Sequence, residues 1–228
     1  MHHYIISATL TSLLTTVLGA ITIWKRPRTK QSIIFALYSF SISLWSWCVS
    51  ISPCVPSFSP SVEFLWSRVL HLSCILIPVL FFHFAVICSK TSNARWQLFL
   101  AYGLAVFFNL SNIFSATLFT GESVFRIEYA YPRPLAPLYP CYVIFFFILV
   151  FLGIFYLLNC TCRMPIGSKV SKFWLFILLS FFGYIGAMDN FFIMADLRIF
   201  PFYPFGLYPT VLYAIVTSYL VLRHDVPI

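Results

Sequence analysis

Long apolar stretches alternate with short polar segments along the whole chain. Seven stretches carry few or no charged side chains, and each has the roughly 20 residues that a helix needs to cross a bilayer. They are residues 4–24, 31–51, 69–88, 96–118, 138–162, 173–195 and 201–222. Since they use most of the 228 residues, the pattern predicts an all-α polytopic membrane protein, with residues 1–228 forming one seven-transmembrane helix bundle.

Composition supports the same class. Hydrophobic residues make up 61% of the chain and charged residues only 9%, against roughly 25% charged residues in soluble domains. The lipid bilayer is therefore the expected surrounding and partner, and a bacterial inner membrane is the expected location.

Charge is distributed asymmetrically between the loops. One set of alternate segments holds ten cations, namely Lys25, Arg26, Arg28, Lys30, Lys90, Arg95, Arg163, Lys169, Lys172 and Arg223. The other set holds Glu63, Glu122, Arg126, Glu128, Arg133, Asp196 and Arg198. Short loops rich in Lys and Arg stay in the cytoplasm, so we expect the amino terminus outside and the carboxyl terminus inside. The cations form no basic stripe, so nucleic acid is not expected as a partner.

The connection between the fourth and fifth spans is the longest and shows a different pattern. Residues 124–129 alternate in polarity, which is typical of a strand, and Pro132 and Pro134 are expected to end it. A small extracytoplasmic hairpin over the outer helix ends is the predicted structure.

Polar residues inside the spans define the candidate ligand-binding site. They cluster toward the predicted outer face as Arg68, His71, Asn109, Asn112, Asp189 and Asn190. Polar groups in hydrocarbon are costly and usually face a bundle interior or a cavity. The alternative is that Arg68 reaches the interface with its long stem, while the asparagines only hydrogen-bond neighbouring helices. His83, deep in the third span, is expected to be a packing residue.

The cysteines and the catalytic motifs add little. Cys54 and Cys141 lie on the same predicted side and are either bridged or unpaired, while Cys160 and Cys162 are expected to pack or to carry lipid. The chain contains no zinc-protease, nucleophile-elbow or phosphate-loop motif, and the seventh span has no Lys for retinal. We therefore expect no catalytic residue, no metal site, no cofactor and no enzyme activity.

The last fifty residues carry a family resemblance. The segments are 183–191 (GYIGAMDNF), 199–206 (IFPFYPFG), 213–216 (YAIV) and 219–228 (YLVLRHDVPI). They resemble the end of the N-terminal seven-transmembrane region of membrane histidine kinases. Span number, orientation and the long connection before the fifth span match over the whole length. The kinase's phosphoacceptor histidine segment and ATP-binding glycine motifs do not occur in this sequence.

The resemblance implies the sensory half of such a kinase. It implies a ligand from outside or within the membrane, a signalling partner in the cytoplasm or membrane, and a module compatible with a homodimer. Two other classes stay open at this point. One is a small transporter or permeation subunit, and the other is a membrane enzyme using Arg68, His71 and Asp189.

The first prediction concerns topology. Reporter enzymes fused after Ile228 should be active in the cytoplasm, and those inserted within residues 122–133 should be active outside, because the ten cations hold their loops inside. Activity on the opposite sides would contradict the orientation and place the candidate site on the cytoplasmic face.

Overall fold

A computed structural model describes residues 2–25, 29–52, 54, 60–91, 94–114, 119–126, 129–134, 138–162, 168–194 and 207–222. Seven helices and one hairpin lie within these residues. The helices are α1 (His2–Lys25), α2 (Lys30–Ile51), α3 (Pro60–Ser89), α4 (Arg95–Phe114), α5 (Leu138–Cys162), α6 (Ser168–Met194) and α7 (Leu207–Leu222). The strands are β1 (Phe119–Arg126) and β2 (Tyr129–Pro134).

The all-α fold with seven helices confirms the coarse prediction, whereas the spans are less uniform than expected. Among the described residues, five helices, α1 to α5, are long and apolar enough to cross a membrane. The apolar part of α6 is the shorter segment Phe173–Met188. Helix α7 has 16 described residues, about 24 Å, against a hydrocarbon core of about 30 Å. The first six residues of the expected seventh span lie outside the described residues.

The bounds of α1, α2 and α5 agree with the predicted spans to within two residues, whereas α6 begins five residues early and α3 nine residues early. The fifth helix has the expected bounds, but α3 begins at Pro60, nine residues before the predicted span. Proline fits the first turn of a helix, where its missing N–H has no partner to lose. Hydropathy does not predict this extension, because residues 60–68 include polar side chains. A hydropathy scale measures how readily a segment enters lipid and does not measure whether the segment is helical.

The hairpin expected between the fourth and fifth helices is present. Strands β1 and β2 are antiparallel, and Arg126 pairs with Tyr129 at the turn. Pro132 and Pro134, expected to end the strand, lie within β2. Both strands of a two-stranded sheet are edge strands, where a residue without an N–H can be tolerated. The hairpin contacts α3 and α6.

Six helices close into a ring through neighbouring contacts. Each of α1–α2, α2–α3, α3–α5, α5–α6 and α6–α7 is a packed pair, and α7 returns to α1. Helix α4 packs on the outside of α3, and its Phe108 also contacts Phe145 of α5 at a ring-centroid distance of 5.2 Å.

Polar side chains join α1 to α2. The Ser12 hydroxyl donates to the Ser43 carbonyl over 3.1 Å, and the Ser43 hydroxyl donates to the Ser12 carbonyl over 3.0 Å. Such interhelical hydrogen bonds satisfy hydroxyls that lipid cannot. These serines therefore have a structural explanation and need no ligand.

All seven cysteines are free thiols, which answers the question of Cys54 and Cys141. Cys160 packs at the end of α5 and donates its thiol hydrogen to the Cys88 carbonyl over 3.2 Å. Cys162 is exposed at the last residue of the same helix.

Helices α3 and α5 approach most closely at Gly153. A Cβ at this position would lie 2.7 Å from Cε1 of Phe81, whose side chain is fully buried. Only a residue without a side chain lets the Phe81 ring lie against the α5 backbone here.

The second prediction follows from that contact. Gly153→Ala should lower the free energy of unfolding by about 1–3 kcal/mol, because the new methyl displaces a ring that has no free space. Gly103→Ala in α4 is the matched control, since no atom lies within 4 Å of its Cβ position. Alanine there should be neutral or stabilising by up to about 1 kcal/mol. Unfolding in mixed micelles measures both, and equal stabilities would disprove the tight contact.

Candidate functional site

A cavity of about 80 Å³ lies inside the helix ring, between α2, α3, α5, α6 and α7. We call it the chamber. Its wall is mostly aromatic and aliphatic, with Trp45 from α2, Phe146 from α5 and Phe191 from α6. None of the described residues that line it is Lys, Arg, Asp or Glu. The chamber is thus an apolar site with a few polar atoms.

The chamber lies toward the hairpin end of the bundle. Helix α5 begins directly after the hairpin segment and contributes Tyr139 and Tyr142 from its first two turns. Helix α7 contributes Thr210 and Tyr213, also from its first two turns. The hairpin contacts α3 and α6, which both line the chamber. The cavity and the hairpin therefore belong to the same end of the protein.

Packed aromatic rings close the other end of the chamber. Phe81 of α3 lies 5.7 Å from the ring of Tyr38 and 5.0 Å from that of Tyr184. Below them, Phe84 contacts Phe35 of α2 at 5.3 Å and Phe176 of α6 at 5.9 Å. We call these residues the aromatic layer; the four phenylalanines are fully buried. The described lining of the chamber stops at the level of Tyr38 and Tyr184, and these rings pack between α2, α3 and α6 beyond it.

Two tyrosines at the chamber floor pair with each other. The hydroxyls of Tyr38 in α2 and Tyr184 in α6 are 3.2 Å apart, and both side chains are buried. The bond joins α2 to α6, which lie on opposite sides of the ring and do not form one of the packed pairs. It therefore ties the floor together across the bundle.

Two further tyrosines, Tyr142 and Tyr213, lie in the wall, with side chains only 1% and 3% exposed. The Tyr213 hydroxyl lies close to the hydroxyls of Tyr38, Ser180 and Thr217, so it belongs to the polar cluster at the chamber floor. The Tyr142 hydroxyl is buried and has no hydrogen-bond partner among the described residues. A buried hydroxyl without a partner costs about 1–3 kcal/mol.

His71 is the one predicted site residue whose side chain lines the chamber among those the structure describes. It is buried, and its Nδ1 lies 2.8 Å from the Ser67 carbonyl of the same helix. Because a carbonyl only accepts, Nδ1 carries the proton and Nε2 is the acceptor nitrogen of the ring. The chamber wall thus includes a histidine held in one tautomer.

Arg68 and the two asparagines lie elsewhere. Arg68 precedes His71 by one turn, and its main-chain carbonyl accepts a hydrogen bond of 2.9 Å from Nδ2 of Asn112. Nδ2 of Asn109 donates to the Ala105 carbonyl within α4 over 3.0 Å. Neither asparagine lines the chamber, because α4 lies outside the ring. Asn112 joins α4 to α3, as the structural alternative for these residues expected.

Asp189 and Asn190 belong to α6 by their backbone. Their side chains lie outside the described part of the structure, so their place in the candidate ligand-binding site stays a prediction. Neighbouring Ala187 and Phe191 both line the chamber.

His83 has the packing role that its position suggested. Its Nδ1 lies 2.7 Å from the hydroxyl of Tyr102, and the two rings meet edge to face at 5.6 Å. The contact is a second link between α3 and α4, besides the one made by Asn112, and His83 does not line the chamber. Since the hydroxyl satisfies the imidazole, this histidine needs no ligand.

The tyrosines carry most of the chamber's hydrogen-bonding capacity, and the sequence did not predict them as site residues. A weak signal was present, because Tyr139 and Tyr142 are three residues apart and so share a helix face. That spacing does not stand out, because the chain contains 13 tyrosines and 27 phenylalanines. Only helix rotation separates tyrosines of the wall from those facing outward.

The described residues hold no group of three His, Cys, Asp or Glu side chains placed for a metal ion. No protein-family model matches the chain, and no curated protein is significantly similar to it. The chamber is therefore interpreted from its own lining residues.

The third prediction tests the hydroxyl pair. Tyr38→Phe and Tyr184→Phe should each lower the free energy of unfolding by about 1–3 kcal/mol, because each leaves a buried hydroxyl alone. The double variant should lose less than the sum of the single losses. Tyr142→Phe is the matched control and should be neutral or stabilising, since it removes a hydroxyl that has no partner. Additive losses at 38 and 184 would show that the hydroxyls do not interact.

Proposed function

We propose that the protein is a non-enzymatic membrane receptor module that binds a small ligand in the chamber and signals through a partner. The observation that carries this proposal is a chamber that ends inside the bundle. A transport path needs polar groups or space through the full depth, whereas the lining of the chamber stops where buried rings of α2, α3 and α6 pack together. A closed end suits binding and release from one side.

The proposal includes the topology expected from the loops. With the carboxyl terminus in the cytoplasm, the hairpin and the chamber face outward and the aromatic layer faces inward. All seven helices then cross the membrane, as the seven predicted spans do. The basic loops and the carboxyl end are left to contact a cytoplasmic or membrane partner.

The resemblance to the sensor region of membrane histidine kinases supports the same class. In that reading, a ligand in the chamber changes the packing of the rings beneath it, and the partner detects the shift of the helix ends. Tyr38 and Tyr184 line the chamber and also belong to the aromatic layer, so their bond is the first contact that such a change would reach.

The fourth prediction tests the closed end by thiol labelling. In a variant lacking the seven native cysteines, Thr210→Cys in the chamber wall should react with an impermeant methanethiosulfonate added to intact cells. The same variant in inside-out vesicles should not react, because the aromatic layer blocks access. Ala85→Cys, fully buried next to Phe84, is the control and should be protected from both sides. Labelling of Thr210→Cys from both sides would favour a transporter.

A further inference from the structure

A second cavity lies outside the helix ring, in a gap between α4 and α5, and shares no described lining residue with the chamber. We call it the slit. Leu100 and Leu104 of α4 form one wall, Ile148 and Leu152 of α5 form the other, and the fully buried ring of Phe82 from α3 lies at the base. Leu100, Leu104 and Ile148 are exposed, so the slit opens sideways, where lipid surrounds a membrane protein.

Contacts between α4 and α5 mark the two ends of the slit. At one end the Tyr156 hydroxyl donates to Oε1 of Gln97 over 2.8 Å. At the other end the rings of Phe108 and Phe145 lie 5.2 Å apart. On each helix eleven residues separate the two contacts, which is about 16 Å at the helical rise. Because a third helix needs about 8–10 Å to each neighbouring axis, helices held at both ends leave no room for one between them.

The slit is apolar along its whole length. Between the two end contacts, the described lining residues carry no polar side chain. A hydrocarbon chain lying there would therefore leave no polar group without a partner. One leaflet contributes about 15 Å to the hydrocarbon core of a bilayer, so a single acyl chain matches the length of the slit.

Charge distinguishes the two ends of the slit. Trp96 lines one end, and the preceding residue, Arg95, is exposed at the start of α4. Lys90 is also exposed, and residues 89–97 contain no Asp or Glu. Residues 104–114, which lead to the opposite end, contain no cation. Tryptophan and basic residues at the membrane surface favour anionic headgroups, so the Arg95 end is the one suited to a phosphate.

We propose that the slit is a binding site for one anionic phospholipid. Its acyl chain lies between α4 and α5, and its phosphate pairs with Arg95. The bound chain fills the gap between the two helices and so stabilises α4, which packs on the outside of the ring. This site is independent of the chamber and of the receptor proposal, because it requires only that α4 and α5 cross the membrane.

The fifth prediction compares two phospholipids that share their acyl chains and differ in headgroup charge. Dioleoylphosphatidylglycerol or dioleoylphosphatidylcholine is added to the full chain in detergent, and the retained lipid is counted by native mass spectrometry. One lipid should be retained per chain, with about threefold to tenfold tighter binding of the phosphatidylglycerol, as one basic residue beside an anionic headgroup provides. Equal affinity for the two lipids, or no retained lipid, would overturn the proposal.

The headgroup contact is tested by a charge-removing variant. Arg95→Gln should bring the affinity for phosphatidylglycerol down to that for phosphatidylcholine. Lys30→Gln is the matched control, because Lys30 is the exposed first residue of α2 at the same end of the bundle, and α2 does not line the slit. The control should keep the preference. A preference that survives in Arg95→Gln, or is lost equally in Lys30→Gln, would contradict the assigned headgroup position.

The chain contact is tested by filling the slit. Leu104→Trp places a large ring between α4 and α5 and should weaken binding of both lipids. Val106→Trp adds the same ring at an exposed position of α4 that does not line the slit, and binding should be unchanged. Wild-type affinity in Leu104→Trp would place the lipid elsewhere. If this variant does not fold, crosslinking of the wild-type chain decides the position.

Photocrosslinking in nanodiscs locates the lipid directly. A phosphatidylglycerol with a diazirine in its acyl chain should label residues 100–108 or 145–152 in preference to the exposed Leu13 and Val17 of α1. Even labelling of all exposed apolar faces would show bulk lipid only, and a dimer that excludes label from the slit would assign it to a second copy of the chain. Either result overturns the site. Neither bears on labelling of Thr210→Cys, which tests the receptor proposal separately.

Discussion

The packing of Phe81 is the contact on which the rest of the structure depends. Its ring lies against Gly153 of α5, so the two helices meet at backbone distance, and it contacts Tyr38 and Tyr184 from α2 and α6. This one side chain of α3 thus touches three other helices of the ring. It packs where α3 and α5 lie close together, and it supports the two tyrosines at the floor of the chamber.

Polar groups in the bundle fall into two kinds, and the difference is whether the protein itself satisfies them. The hydroxyls of Ser12, the imidazole of His83 and the Nδ2 amide of Asn112 each bond a neighbouring helix, so they contribute to assembly. The phenol of Tyr142 has no such partner among the described residues. In a hydrocarbon environment, whether a polar group has a partner says more than its polarity, because no water is there to form the missing hydrogen bond.

The proposed receptor function joins these two features. The chamber offers a hydrogen bond that the resting protein does not make, and the aromatic layer lies directly beneath it. Rings packed at centroid distances of 5.0 to 5.9 Å cannot deform gradually, because interiors at that density rearrange between discrete packings. A ligand that changes the packing of the chamber wall is therefore expected to act through the layer on the end of the bundle opposite the hairpin.

The sequence by itself determined the class of protein, the number of helices, the bounds of the fifth helix and the hairpin before it, because helix length and strand alternation are local properties of residue order. It also gave His83 its packing role. Which polar residues face the chamber was decided only by tertiary structure. His71 lines the cavity while Asn109 and Asn112 lie on α4 outside the ring, although all three share the same polarity and predicted depth. The physical reason is that facing depends on helix rotation and on which helices close the ring, and those follow from long-range contacts such as Phe81 against Gly153.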